Sequence, residues 1–138
     1  MSADKAFFDT NMLLYMHSSG SRAKQAKAQR LFEECTSDGR LLLSTQVVQE
    51  FYVAGTRKLG LVPEIVREAA TALLQLPLVS IGPEHIVRAM EGEERYRISF
   101  WDALILAAAE SGGARVLYTE DLSHRQQYGA ITVQNPFV

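Results

Sequence analysis

Apolar residues in this chain fall into short blocks separated by longer stretches with helical spacing. Ala6, Phe7 and Phe8 form the first block, a strand ending at Asp9. Leu41 to Leu43 form a second, 78–81 a third, 115–118 a fourth and 131–133 a fifth. Between the first two, residues 22–37 are charged and helix-favouring, with Ala23, Ala26, Leu31 and Phe32 as a sparse apolar face. Asp38-Gly39 stops that helix. After the second block, Ser44 or Thr45 caps a helix with Val47, Val48, Phe51 and Tyr52 on one side, and Gly60 ends it. Val62, Ile65, Val66, Ala69, Ala70, Leu73 and Leu74 then recur at three and four residues, an amphipathic helix opened by Pro63 and closed by Pro77. Pro83 opens a further helix to about Arg95. The stretch FWDALILAAAES after Ser99 is apolar almost all round, which predicts a buried helix, and Gly112-Gly113 ends it.

Short apolar strands alternating with helices predict a parallel sheet covered on both faces. The expected fold is α/β, three layers, in one domain over 1–138. The pattern alone does not order the strands.

Composition narrows this little. With 47% hydrophobic and 22% charged residues, the chain sits within the range of globular domains. No apolar run is long enough to span a membrane. The first 16 residues hold Asp4 and Asp9 and only a short apolar run, 12–16, so no signal peptide is expected and a cytoplasmic location is. A single cysteine, Cys35, excludes an intrachain disulfide and a cysteine metal cage. The net charge of −2 argues against a conventional DNA-binding domain. Yet if four of the 16 acids are gathered in one site, 12 remain against 14 basic residues, so a nucleic-acid substrate is permitted.

Open parallel sheets bind ligands beyond the carboxyl ends of their strands. Asp9 follows the first strand, and Asp121 follows the fourth by three residues. Glu50 lies in the first two turns of the helix after the second strand, and Asp102 in the first turn of the buried helix. Asn11, Ser99, Thr119 and Glu120 are within reach of the same edge. Each acid also has a structural reading. Asp9 fits a helix N-cap, Glu50 an exposed helix position, Asp102 a capping box with Ser99, and Asp121 an Asx turn. As a set, four acids at one edge repel each other and lose hydration, and a bound cation is the usual compensation. An all-oxygen set selects a hard ion, Mg²⁺ or Mn²⁺, over zinc. One such ion, or a pair, is machinery for phosphodiester hydrolysis.

Phe8-Asp9-Thr10-Asn11, Val48-Gln49-Glu50-Phe51, Ser99-Phe100-Trp101-Asp102-Ala103 and Leu117-Tyr118-Thr119-Glu120-Asp121, in this order and followed by the tail 131–137, resemble the PIN-domain family. Within it they resemble the VapC-type ribonuclease toxins of toxin–antitoxin pairs. The resemblance spans the chain. It implies a five-stranded parallel sheet in the order 3-2-1-4-5, with the first and fourth strands adjacent. It implies that Asp9, Glu50 and Asp102 bind the metal and that Asp121 is a fourth acid acting through water, a duty Glu120 could share. Thr119 would orient a water or carboxylate, with Ser99 in support, and Asn11 would order the first loop. The implied activity is Mg²⁺-dependent cleavage of RNA, leaving a 5′-phosphate. The implied partners are a VapB-like antitoxin and a second copy of the chain.

Other residues carry less. His17, His85 and His124 have no second ligand at metal spacing, although His124-Arg125 is a candidate phosphate contact. Arg22, Lys24, Lys27 and Arg30 read as a solvated face or an RNA contact. Trp101 is expected in the core beside the site, and Met12 and Met16 in the core. Phe8, Phe51 and Trp101 are the expected apolar wall for an inhibitor tail. Two other functions compete: a metal-dependent phosphatase or receiver-like phospho-acceptor domain, and a non-catalytic PIN-like domain that binds RNA or protein. The first lacks its second acid, since the motif reads Asp9-Thr10-Asn11, and Lys58 is the last lysine in the chain.

Overall fold

In the computed structural model, which describes residues 4–18 and 20–138, Ala6, Phe7 and Phe8 are fully buried in consecutive positions. Positions 1–3, part of the N-terminal stretch considered above, and position 19 lie outside the described residues. Such a run has no solvent face, so both sides of strand β1 (Lys5–Phe8) are covered. The same holds for β2 (Leu41–Ser44), buried at all four positions. Parallel pairing places β1 between β2 and β4 (Ala114–Tyr118). β3 (Leu78–Val79) pairs parallel with β2, and β6 (Ile131–Gln134) parallel with β4.

These five parallel strands stand in the expected order, with β6 as the predicted fifth. A sixth strand, β5 (Gln127–Tyr128), pairs antiparallel with β6 and makes the full order β3-β2-β1-β4-β6-β5. It escapes sequence reading because two residues are too few to show a period. The third strand is also shorter than 78–81. Its partner β2 ends at Ser44, so the Ile81 N–H has no ladder acceptor and donates to Thr45 Oγ1 instead (3.1 Å).

Among the described residues, six helices connect the strands: α1 (Thr10–Met16), α2 (Arg22–Ser37), α3 (Thr45–Arg57), α4 (Pro63–Leu73), α5 (Pro83–Tyr96) and α6 (Phe100–Ser111). Asp9, Ser21, Ser44 and Ser99 cap α1, α2, α3 and α6. α6 is buried at every position from 103 to 109 and lies against β2, β3, β4 and β6. α2 and α3 lie against β2, while α1 packs on α2 and α3, α4 on α3, and α5 on α6. Met12 is fully buried, and Met16 packs partly buried against the core.

Trp101 departs from expectation: it is 60% exposed, stacked edge-on against Phe100. It sits in the first turn of α6, ahead of the buried stretch 103–109, so the layer that covers the rest of the helix does not reach it. Among the described residues, no helix is long and apolar enough to cross a membrane.

Candidate active site

β1 and β4 are neighbours, and their carboxyl ends deliver Asp9 and 119–121 to one place. The Asp9 N–H donates to Tyr118 O (3.1 Å), the last rung of the pairing. The Asp9 side chain is 4% exposed. Its Oδ1 accepts from the Thr10 N–H at 2.7 Å, and its Oδ2 from the Thr119 hydroxyl at 2.6 Å. Thr119 Oγ1 in turn accepts from the Asp121 N–H at 3.0 Å.

On the other side, the Thr10 hydroxyl donates to Glu50 Oε1 at 2.6 Å. Gln46 Nε2 donates to Glu50 Oε2 and to Trp101 O, each at 3.2 Å. A continuous hydrogen-bonded chain therefore runs from α6 through Gln46, Glu50, Thr10, Asp9 and Thr119 to the backbone of Asp121. Ser99 holds the start of α6, accepting from the Asp102 N–H at 3.0 Å. Thr10 and Gln46 were not singled out from sequence. The signal for Gln46 was present, because it precedes Glu50 by four residues and so shares its helix face.

The four acids form a ring of mutual repulsion. Burial pushes the Asp9 pKa up to about 7; the Thr119 and Thr10 hydrogen bonds oppose the rise, and Asp121 and Glu50 add to it. Asp102 is raised by burial, against the Ser99 hydroxyl, and further by Glu50. Asp121 is raised by burial and then by Asp102 and Glu120, with the Asn11 amide opposing. Asp9 thus feels two of the other acids, and Asp102 and Asp121 one each. Among the described residues, no three carboxylate, imidazole or thiol groups are already gathered closely enough to hold an ion directly. Mg²⁺ usually keeps several waters and takes only one or two carboxylates directly, so its binding does not require three acids in direct reach.

Two further observations fit a hydrated cation. Asn11 Oδ1 and Gln46 Oε1 are buried acceptors with no donor among the described residues. Both belong to residues touching the acid ring, and water is the donor such atoms require. The donor set is wholly oxygen, as Mg²⁺ and Mn²⁺ prefer.

Glu120 is engaged elsewhere. Its Oε2 pairs with Lys24 Nζ at 3.0 Å, and its Oε1 accepts from the Tyr15 hydroxyl. Lys24 also lies over the Tyr15 and Phe137 rings. One cation of the basic helix therefore faces inward, while Arg22, Lys27 and Arg30 remain exposed. His124 and Arg125 stand outside the groove beside the acids. His124 Nδ1 accepts from the Asn135 N–H, bracing the tail. His85 is buried: its Nδ1 accepts from the Gly82 N–H and its Nε2 bonds Ser111 Oγ.

A groove of about 710 Å³ leads away from the acids between α1 and α3. Glu50, Glu120 and Asp121 lie at one end, Leu14, Val53 and Ala54 along its length, and Arg57 and Lys58 beyond them. Leu14, Val53 and Ala54 replace the expected apolar wall. Phe8 and Phe51 cannot form it, because both are fully buried, Phe8 against Phe32 and Tyr118 and Phe51 against His17.

Solved structures share this arrangement of strands and helices. VapC20 of Mycobacterium tuberculosis, a toxin that cleaves the sarcin–ricin loop, superposes with a TM-score of 0.68 at 21% identity, over 85% of this chain and 90% of that one. A toxin–antitoxin complex from Klebsiella pneumoniae gives 0.70 at 23% identity, over 96% and 98%. The DNA-bound VapBC of Salmonella typhimurium gives 0.70 at 17%, over 97% and 99%. At these identities the likeness shows the fold. No curated protein matches the sequence at a significant level. The family model of the PIN domain matches residues 6–129, most of the chain, and together with the acid ring at the β1/β4 edge it places this chain in the PIN domain family.

Proposed function

We propose that this chain is a divalent-metal-dependent endoribonuclease, the toxin of a VapBC-type toxin–antitoxin pair. The carrying observation is the ring of Asp9, Glu50, Asp102 and Asp121, tied together by neutral hydrogen-bonding residues at the carboxyl edge of β1 and β4. Membership of the PIN family and the toxin character of the similar structures support the reading.

Asp9, Glu50 and Asp102 would hold a Mg²⁺ or Mn²⁺ ion, directly or through its waters, with Asp121 acting through water, and the ion would supply charge compensation at the phosphate and an acidified water. The protein's own part is positioning. Thr119 and the Thr10 N–H each take one lone pair of Asp9 and leave the remainder in a set direction. The Thr10 hydroxyl does the same for Glu50. Burial keeps Asp9 partly protonated near neutrality, so it must release a proton before it serves as a charged ligand.

RNA would lie along the groove between α1 and α3, with Arg57 and Lys58 available to a phosphate. The same groove suits the tail of a VapB-like antitoxin. A homodimer in the cytoplasm is the proposed working form, and α5 leaves Ile86, Val87 and Met90 exposed for pairing. Incubating the purified protein with end-labelled RNA, with Mg²⁺ or with EDTA, tests the reading. Cleavage in Mg²⁺ alone is expected. Binding without cleavage would favour the non-catalytic alternative, and release of phosphate from small phosphoesters would favour a phosphatase.

A further inference from the structure

Gln46 is a polar residue in an expensive place. It lies near the start of α3 and is 4% exposed. Its amide orientation is settled by its partners. Glu50 Oε2 and Trp101 O are both acceptors, so the end facing them must be Nε2. A flip would set a carbonyl oxygen against a carboxylate. The consequence falls on the other end, where Oε1 is buried with no donor among the described residues. A buried unmet acceptor is destabilising, and an apolar side chain of the same length would avoid it. Gln46 thus carries an unmet acceptor that an apolar residue would not, and its amide does two things no apolar residue can.

First, it grips Glu50 from the side opposite Thr10, so both carboxylate oxygens of Glu50 are held. Second, by reaching Trp101 O it ties Glu50 to the first turn of α6, where Asp102 sits one residue further on. Glu50 and Asp102 repel each other, and Gln46 is the neutral bridge between their elements.

We propose that Gln46 is a positioning residue of the metal site: it sets Glu50 relative to Asp102 and leaves Oε1 as an acceptor for a water of the ion's hydration shell. This rests on the metal-dependent reading above and deepens it. Partners that hold a ligand in place typically matter by about 10–100-fold in metal affinity.

The test is Mn²⁺ binding without RNA, followed by calorimetry and by the electron paramagnetic resonance of free Mn²⁺, on the full chain. Gln46→Met keeps length and removes the amide. Gln46→Asn keeps the amide and shortens its reach. Both should fold, and both should bind Mn²⁺ about tenfold or more weakly. In cleavage, kcat at fixed Mn²⁺ should fall while KM for RNA holds. In the Glu50→Gln background, Gln46→Met should add little, because the two act as one unit.

Wild-type Mn²⁺ affinity in either folded variant overturns the proposal. So does a full, additive loss in the Glu50→Gln background, or failure of both variants to fold, since either outcome makes the amide a structural part. If the wild-type chain binds no Mn²⁺, the metal-dependent reading itself fails, and that result is distinct from all of these.

Discussion

The Thr119 hydroxyl donates to Asp9 Oδ2 over 2.6 Å of space and 110 positions of sequence. The same oxygen accepts from the Asp121 N–H, so one side chain orients the carboxylate after β1 and the backbone that carries the acid after β4. It has no exposed surface, so water cannot substitute for either bond. The adjacency of β1 and β4 makes this possible, and the site inherits its rigidity from the centre of the sheet.

Thr119→Val keeps the shape and removes both bonds. Asp9 then loses its strongest opposition to burial and titrates higher still. Two outcomes are expected. Stability should fall by about 1–3 kcal/mol, the cost of leaving buried groups unpaired. The acidic limb of the pH–rate profile for RNA cleavage should move to higher pH, while Thr119→Ser restores both. An unmoved profile in a folded Thr119→Val would separate Thr119 from the chemistry.

The folded chain without metal should lose stability as pH rises. Asp9 titrates at about 7 when folded, against 3.8 as the ordinary value. Between these limits the folded state holds a proton that the unfolded state has released. Raising the pH therefore favours unfolding from about 4 up to about 7, and the penalty is constant above that. At about 1.4 kcal/mol per pH unit, the whole effect is on the order of 4 kcal/mol. Asp9→Asn removes it. The metal-free mutant should melt above wild type at pH 8 and gain nothing at pH 4. Mg²⁺ should raise the wild-type melting temperature far more than the mutant's. Equal Mg²⁺ shifts would dismiss Asp9 as a ligand.

Cleavage should rank the acids. Asp9→Asn and Asp102→Asn each remove a charge proposed to hold the ion, and a loss well beyond 100-fold is expected, more than a supporting residue costs. Asp121 is more exposed and is proposed to act through water, so Asp121→Asn should cost about 10–100-fold. Glu120→Gln should cost less than either, because Lys24 and Tyr15 already hold that side chain. Initial rates at saturating Mg²⁺ decide the order. A larger loss from Glu120→Gln than from Asp121→Asn would reverse the two assignments.

The amphipathic helices were legible because each buries a face with helical spacing. α2 runs from Arg22 to Ser37 and α4 opens at Pro63, as the composition predicts. The central strands show no alternation, and their unbroken apolar blocks betray a sheet covered on both sides. What stayed hidden depends on partners distant in sequence. β5 exists because Gly129, in the left-handed region at φ 58°, turns the chain back onto β6. Trp101 looks like core until the end of its layer is known. Thr10 and Gln46 are ordinary residues until Glu50 is placed between them. Likewise, Glu120 and Asp121 are equivalent by position, and Lys24 and Tyr15, 96 and 105 positions away, separate them by holding Glu120.

The joint between α6 and β4 gives a test of the fold itself. Gly112 ends α6, and a Cβ there would come within 2.5 Å of Leu42 Cδ2 and 2.8 Å of Val79 Cγ2. Both neighbours belong to the packed layer that α6 covers. Gly112→Ala should therefore cost about 1–3 kcal/mol by overpacking, measured by urea unfolding. Gly60 has φ 62° and open space around its missing Cβ. Gly60→Ala should lose stability through backbone strain alone, with no repacking of Leu42 or Val79. A neutral Gly112→Ala would show that this joint is looser than its contacts imply.

The last prediction concerns the inhibitor. A chain with the proposed RNase activity needs a separate restraint, and the groove between α1 and α3 says what chemistry would fit it. At one end stand Glu50 and Asp121, with Asp9 buried behind them. A guanidinium placed there would meet the carboxylates with paired, charge-assisted hydrogen bonds and compete with the ion for the same charge. Leu14, Val53 and Ala54 offer the next stretch of an extended tail an apolar bed, and Arg57 and Lys58 offer its far end a carboxylate partner. The tail therefore reads basic, then apolar, then acidic along α3. Changing its basic residue to Ala should weaken binding, and high Mg²⁺ should weaken the unaltered tail on wild type. Val53 is 47% exposed in the middle of the bed, and Val53→Glu should reduce tail affinity by about tenfold or more in a direct binding assay. Asp9→Asn and Glu50→Gln should also bind the tail less tightly, because each removes a charge the guanidinium would answer. If both acid variants bind it unchanged while Val53→Glu does not, the apolar bed alone holds the inhibitor. If all three bind it unchanged, the antitoxin acts away from this groove and blocks RNA by another route.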